Sequence, residues 1–490
     1  MSLKIFNTMT KQKEEFKSIT PGEVKMYVCG PTVYDFLHVG NFFGPIFFNV
    51  VRNWLEKSGY TVNFVYNYTD IEDRIIYKAI SEKVPASTIT ERYIAEFEKD
   101  FKNLKLKKHT HNPRVTEFLP QIIEFVEDLI KQGKAYAAGG DVYFDITKFP
   151  QYGKLSNKNI DDLVAGTRAE PNEQKRHVVD FALWKGAKPG EPTWESPWGP
   201  GRPGWHIECS CMAHSLLGDT LDIHGGGLDL TFPHHENEIA QSEARTGKQF
   251  VRYWMHNNML VFGSQKMSKS IGNIKTGRAF MEEYNAEVLK FLILSSHYRS
   301  LVDFSIGQID RSVGNLSRFY SSLAYAMKLK TSALSLAPLP AAFEKAISDA
   351  EAKIATSLDD DFNTPGVMAA FYEVMRVFNS ICRVPGKVKP EQQAVAEVYL
   401  SWMIKQGQIM ALFQEEPVSF LRLLDDMLLK RKNISRDDIE VKVKARSEAR
   451  AVKDFKKSDD LRAELTAMGI SVQDSVDGSS WEVDKSATID

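Results

Sequence analysis

Between Gly204 and Ala240 the chain reads GWHIECSCMAHSLLGDTLDIHGGGLDLTFPHHENEIA, a stretch that holds five of its eleven histidines and two of its four cysteines. These are metal-binding types. Pro233 suits a first helical position, and His234 and Glu238, four residues apart, then stack on one helix face about one turn apart. An imidazole, a carboxylate and the thiolate of Cys209 are ligands that zinc accepts, and a fourth closes a tetrahedral site. A lone HxxxE pair is ordinary helix-surface chemistry. Cys209 and the neighbouring histidines set a metal centre beside that reading as an equal alternative.

Two further groups carry phosphate chemistry. His38-Val39-Gly40-Asn41 stands just before an apolar helix, where backbone amides at a helix start meet a histidine and Gly40 lets a phosphate or base come close. About 225 residues later, Lys266-Met267-Ser268-Lys269-Ser270 offers two ammonium groups three residues apart. Each is weak alone: the tetrad occurs by chance, and lysine-rich loops are usually just solvated. Both fall at the ends of strands expected in one sheet, and that coincidence carries weight.

The elements that must position these groups read as follows. Glu23 to Cys29 (EVKMYVC) is a buried strand stopped by Gly30-Pro31, Asn41 to Lys57 is an apolar helix ended by Gly59, and Thr61 to Tyr68 is a second strand. Such a βαβ unit has parallel strands, and ligands bind beyond their carboxyl ends, where Cys29, Thr69 and Asp70 fall. Trp205, His206 and His224-Gly225-Gly226-Gly227 surround the same edge, although a glycine run is a turn as often as a ligand loop and Trp205 suits a core. A helix is expected over Glu117 to Gln132, strands over Asp141 to Ile146 and His256 to Phe262, and one helix over Ala279 to Ser296. From Gln308 to about Gln414 the periodicity is helical, with Asn363 or Thr364 capping a helix and Pro365 in its first turn.

At 490 residues, with 43% hydrophobic and 26% charged residues, the chain suits a soluble globular protein of about three domains. No apolar run approaches the ~18 residues of a membrane span, and the first residues lack a secretory pattern, so a cytoplasmic protein is expected. Cys29, Cys209, Cys211 and Cys382 are too few for a disulfide framework, and Cys382 reads as core. The net charge of −2 gives no global pull on nucleic acid, so any RNA contact must be local. Lys430 to Lys457 is one such patch, with eleven Lys and Arg against five Asp and Glu, and the strand-like SSWEV follows near Trp481. A solvated basic helix is the alternative account of it.

In order along the chain stand YVCGPTVYDFLHVGN, NYTDIEDRII, GWHIECS, DIHGGGLDLTFPHHENEIAQSEA, YWMHNNML, KMSKS and DDDFNTP. With these blocks the sequence resembles the class I aminoacyl-tRNA synthetases, and among them the cysteinyl family, over nearly its whole length. Pro31 to Asn41 then corresponds to the HIGH-type signature, with Val39 and Asn41 as variants the family allows, and Lys266 to Ser270 to the KMSKS signature. The resemblance implies an α/β fold: a Rossmann-type parallel-sheet catalytic domain with a small inserted connecting domain, followed by a helical bundle and a small C-terminal α/β domain. Its parts are expected at 1–110 and 201–275 (catalytic halves), 111–200 (insert), 276–307 (stem-contact segment), 308–427 (bundle) and 428–490 (anticodon-binding domain).

For function, the resemblance implies activation of L-cysteine with ATP and transfer to tRNA(Cys) by a monomer. The residues it implies are His38, Asn41, Lys266 and Lys269 for catalysis; these with Gly40, Gly225 and Gly226 for ATP; and Cys29, Gly30, Thr69, Trp205, His224 and Asp229 for cysteine. It further implies Cys29, Cys209, His234 and Glu238 as ligands of one Zn2+, Mg2+ with ATP, and Arg450 and Asp474 for the anticodon. Cys211 lies outside the family pattern. Zinc there would deprotonate a substrate thiol outright, a test that serine's hydroxyl does not meet, so no editing site is required. Two rivals stand beside this reading: a ligase joining cysteine to an amino sugar, which shares zinc and both signatures without the C-terminal domain, and a catalytically silent RNA-binding paralogue.

Overall fold

The computed structural model describes residues 2–159, 174–262, 265–266, 275–330, 337–475 and 478–485. Strands Val251–Asn257, Leu221–Gly227, Glu23–Val28 and Thr61–Tyr66 lie side by side in that order, all parallel. They are apolar along most of their length because both faces are covered. Alternation along each strand sends Met26, Val28, Phe64 and Tyr66 to one face and Tyr27, Val65 and Trp254 to the other. The first face packs on helix Phe43–Lys57, the crossover between the two N-terminal strands. The second packs on helices Leu119–Lys131, Trp205–Leu217 and Glu236–Thr246.

Helix Leu119–Lys131 therefore shares its core with the catalytic sheet. Beyond it comes an antiparallel sheet ordered Ala135–Ala138, Asp141–Phe144, Phe181–Gly186, Gly201–Pro203. This sheet is seated tightly on the catalytic half. A Cβ at Gly204, which precedes helix Trp205–Leu217, would stand 2.0 Å from the carbonyl oxygen of Ala182, so only glycine lets the helix begin there.

Two expected elements differ. The stretch 279–296 forms two helices, Gly277–Tyr284 and Ala286–Leu294, because Asn285 turns left-handed (φ 75°) and its Oδ1 caps the second helix by accepting from Glu287 N at 2.7 Å. The run 256–262 likewise divides into Val251–Asn257 and Leu260–Phe262.

Helices Ile306–Leu329, Ala341–Asp359, Thr364–Cys382, Pro390–Met410 and Pro417–Arg431 follow. Asn363 caps the third as expected, accepting from Gly366 N at 3.2 Å, and Cys382 is buried in the core. Residue 427 lies inside the fifth helix, which runs on to Arg431, so no break in the chain marks that boundary. Helices Arg436–Ala451 and Phe455–Ala467 and the hairpin Ile470–Ser475/Gly478–Val483 complete the described chain.

The bundle and the catalytic half meet at Asp361. Its buried carboxylate accepts from Phe6 N at 2.8 Å, Tyr298 Oη at 2.7 Å and Arg299 Nε at 2.8 Å. Tyr298 in turn stacks on Phe47 of the crossover helix, with ring centroids 4.1 Å apart.

Candidate metal centre and nucleotide cleft

Cys29 ends the central strand, Cys209 sits in the second turn of helix Trp205–Leu217, and His234 and Glu238 straddle the start of helix Glu236–Thr246. That helix begins three residues after Pro233, beyond a wound turn over Thr231–His235, and the i, i+4 stacking survives: His234 Nε2 lies 3.0 Å from Glu238 Oε1. One ligand atom from each of Cys29, Cys209, His234 and Glu238 lies within 4.8 Å of every other. A second group, Cys29, His224, His235 and Glu238, satisfies the same limit and shares two members with the first. Cys211, two residues along the helix, belongs to neither; burial pushes its thiol up to about 12.

Electrostatically the centre is a buried group of potential anions. Cys29 Sγ lies 3.7 Å from Cys209 Sγ and 3.5 Å from Glu238 Oε1. Burial raises the Cys29 thiol well above its ordinary range, while the bond from Cys29 lowers Cys209 to about 7. Burial also raises Glu238, whose Oε2 has no hydrogen-bond partner. Two thiols and a carboxylate gathered out of water can hold a cation, because buried anionic charge is costly unless it is paired. Imidazoles surround it. His206 Nδ1 is 3.0 Å from His234 Nδ1, Trp205 stacks on His234 at 4.5 Å, and His235 Nδ1 is 2.8 Å from His256 Nε2, whose other nitrogen is 2.8 Å from Thr8 Oγ1.

Above the centre opens a cleft of about 320 Å³, lined among others by Cys29, Gly30, His38, Gly40, Asn41, Trp205, Gly226 and Asp229. It lies at the carboxyl edge of the sheet, as expected for parallel strands. The HxGN tetrad forms a single 3-10 turn, Val39–Phe42, with His38 as its cap: Nδ1 accepts from Gly40 N at 3.1 Å and Asn41 Oδ1 accepts from His38 N at 3.0 Å. At Gly30 the chain passes against the neighbouring strand end, its N–H donating to Asn67 Oδ1 at 2.9 Å.

Other expected residues sit elsewhere. Gly225 faces inward, where a Cβ would meet the Phe48 ring at 2.2 Å, so its missing side chain serves packing. Thr69 and His224 are buried behind the cleft wall, His224 with its Nε2 3.5 Å from Cys29 Sγ. Lys266 lies in a two-residue strand, and Lys269 lies outside the described residues. Arg450 and Asp474 are neighbours: Nη1 of Arg450 and both Nη atoms of Arg446 bond the Asp474 carboxylate, and Arg446 foremost holds that carboxyl below its usual range. Sequence reasoning missed Asn257, Asn258 and Met259, which line the cleft at and just past the end of strand Val251–Asn257, and Arg74, whose guanidinium lies 5.5 Å from the Tyr34 ring at the rim. The rule that ligands gather beyond strand ends would have found the first three.

Sheet order, cleft and signature turn together define a class I aminoacyl-tRNA synthetase. Residues 15–314 match the family described as tRNA synthetases class I (C) catalytic domain, residues 353–414 a DALR domain, and residues 438–481 a cysteinyl-tRNA ligase anticodon binding domain. The chain is 56% identical to a cysteine–tRNA ligase of Bdellovibrio bacteriovorus over 99% of its length and 100% of the relative's. It is 45% identical to that of Geobacter metallireducens, again over 99% and 100%. Among solved structures, a Mycobacterium tuberculosis methionyl-tRNA synthetase in complex with methionyl-adenylate superimposes with a TM-score of 0.60 at 14% identity, covering 82% of this chain and 94% of that one. The chain belongs to the cysteine–tRNA ligase family, and its activity is the ligation of cysteine to tRNA. The matched anticodon domain sets aside the amino-sugar ligase reading, and among the described residues no helix is long and apolar enough to cross a membrane.

Proposed function

We propose that this ligase selects its amino acid with a zinc ion held by Cys29, Cys209, His234 and Glu238, and that the adjoining cleft receives ATP. The observation that carries the reading is the convergence of two thiols, an imidazole and a carboxylate at the cleft floor, with half-buried Cys29 as the member nearest the opening. The donors suit zinc by number and softness. Of the two overlapping groups, this one holds both sulfurs and is therefore the softer donor set. Zinc bound there supplies a soft Lewis acid that favours a thiolate over a hydroxyl.

The chain's own residues do the rest. Cysteine's carboxylate attacks the α-phosphorus of ATP, pyrophosphate leaves, and the acyl group then passes from the adenylate to a hydroxyl at the tRNA end, releasing AMP. No covalent enzyme intermediate is needed, so catalysis is positioning and charge neutralisation. Because His38 Nδ1 accepts the Gly40 amide, the proton of the neutral ring sits on Nε2, which is the nitrogen that can donate to a phosphate oxygen. Asn41 locks that ring through the backbone of His38, Gly40 and Gly226 let the nucleotide approach, and Lys266 and Lys269 neutralise the triphosphate with Mg2+. Cys29, Gly30, Trp205 and Asp229 border the cysteine, with Thr69 and His224 supporting from behind. The segment 276–307 meets the tRNA stem, and 428–490 reads the anticodon through Arg450 and Asp474.

Metal analysis of the purified protein should give about one zinc per chain, and Cys209→Ser should lose both the metal and cysteine-dependent ATP–pyrophosphate exchange. A metal-free preparation that still activates cysteine would sink the zinc reading.

A further inference from the structure

Away from the catalytic cleft, helices Ile306–Leu329 and Thr364–Cys382 and the end of the C-terminal hairpin enclose an open groove of about 630 Å³. Arg311, Asn315, Arg318 and Ser322 recur at i, i+4, i+7 and i+11, so they run along one helix face, and Asn379 and Arg383 enter from the second helix. The groove is built. Ser322 Oγ donates to Asn379 Oδ1 at 3.1 Å across the helix crossing, and Arg383 Nη2 is anchored on the carbonyl and hydroxyl of Ser321 at 2.9 and 2.8 Å. The Arg383 and Arg318 guanidinium groups lie 5.0 and 5.8 Å from the Tyr325 and Tyr372 rings. Opposite, the hairpin is seated directly on the helix: a Cβ at Gly314 would stand 3.0 Å from Lys485 O.

Charge decides what such a groove takes. Lys485 is committed to Asp425 at 2.7 Å and Glu482 at 3.8 Å. Arg311, Arg318 and Arg383 form no ion pair among the described residues. Glu482 and Asp484 also line the groove, so its carboxylates stand on the hairpin wall and the three guanidinium groups on the helix walls, where their planar forks match phosphate oxygens. Arg311 and Arg318 are about 10 Å apart along the helix axis at 1.5 Å per residue, a spacing that a chain of phosphates can follow. The hairpin that forms one wall also carries Asp474, so an RNA lying on that hairpin is brought to the groove.

We infer that this groove binds the phosphodiester backbone of the tRNA between its reacting end and its anticodon, through Arg311, Arg318 and Arg383. The contact is electrostatic and independent of base identity, since guanidinium–phosphate pairs position an RNA without reading it. This rests on tRNA ligation and on no particular reading of the metal centre.

The test uses the full-length chain carrying Arg311→Ala with Arg318→Ala, and separately Arg383→Ala and Arg318→Lys. Cysteine-dependent pyrophosphate exchange and thermal melting should match the unaltered chain. In tRNA binding, the slope of log affinity against log salt should fall by about one for each arginine removed, so that between 50 and 200 mM salt the unaltered chain loses about ten-fold more affinity than the double variant. The KM for tRNA should rise while Arg318→Lys keeps the slope. An acceptor-stem minihelix should be charged equally by all variants. An unchanged slope and KM in variants that melt normally would overturn the inference, as would an equal loss on the minihelix, which would place the defect in the fold. Should the unaltered chain itself fail to charge tRNA, the ligase assignment would fall instead.

Discussion

Replacing Gly30 by alanine should pull apart the two strand ends that build the cleft floor. Gly30 follows Cys29 of the candidate metal group, and a Cβ there would stand 1.7 Å from the backbone carbonyl oxygen of Asn67, where even 3.0 Å is closer than real side chains come. One strand end must therefore retreat by roughly 1.3 Å, and a displacement of about 1 Å at reacting groups can cost on the order of a hundred-fold in rate. That corresponds to about 2.7 kcal/mol of transition-state stabilisation. The assay is kcat/KM for cysteine in ATP–pyrophosphate exchange at saturating zinc, with thermal melting alongside to separate a displaced site from an unfolded chain. Asn67→Ala removes the hydrogen bond from Gly30 without the collision and should cost only about 1 kcal/mol. Gly307→Ala, in a first helical turn with nothing within 4 Å of its added Cβ, should be neutral or slightly stabilising. A folded Gly30→Ala protein with unaltered kcat/KM would refute the claim that this backbone contact positions Cys29.

Three further outcomes are expected. Lys269→Ala should slow adenylate formation by roughly a hundred- to a thousand-fold with little change in cysteine affinity, the usual loss for one preorganised donor; an unaltered single-turnover rate would make the KMSKS match structural only. Ending the chain after Asn433, beyond the last bundle helix, should spare pyrophosphate exchange and raise the KM for tRNA, and full charging by that truncated chain would remove the tail from tRNA recognition. His109, stacked on Tyr66 at 4.7 Å, is lowered to about 3 by burial, so the folded chain binds its proton less readily than the unfolded one. Its contribution to stability is complete above the unfolded value of about 6.5 and is lost as pH falls from there towards 3, so between pH 7.5 and 5.5 the unaltered chain should lose about 1 kcal/mol more than His109→Gln in urea melts.

The parallel strands, their crossover helix and the Cys209, His234 and Glu238 part of the metal group were legible because each rests on local pattern: apolar runs closed by Gly-Pro or Gly, and an i, i+4 pair whose geometry survives a late helix start; Cys29, about 180 residues before Cys209, came only with the family resemblance. What escaped depends on the third dimension. Gly225 looks like its neighbours in the glycine run, yet the crossover helix Phe43–Lys57 presses Phe48 onto it. Asn285 interrupts an unbroken apolar periodicity, since a single left-handed residue leaves almost no trace in spacing. The arginine groove draws residues from three elements, of which only the spacing along Ile306–Leu329 was readable in advance.

The Asp361 junction also bears on how the protein is made. Its carboxylate closes on a backbone amide 355 positions earlier, and strand Leu221–Gly227 must slot beside a strand ending at Val28. At a synthesis rate of about 5–20 residues per second, the first strands wait roughly 20–70 seconds before the segment that fastens them leaves the ribosome. For that interval the Phe6 amide lacks its eventual neighbour, and the inner edge of Glu23–Val28 lacks its own for roughly 10–40 seconds, until Leu221–Gly227 is made. The nascent chain thus holds an open strand edge through much of the first half of its translation, a liability that faster elongation or a chaperone would shorten or shield.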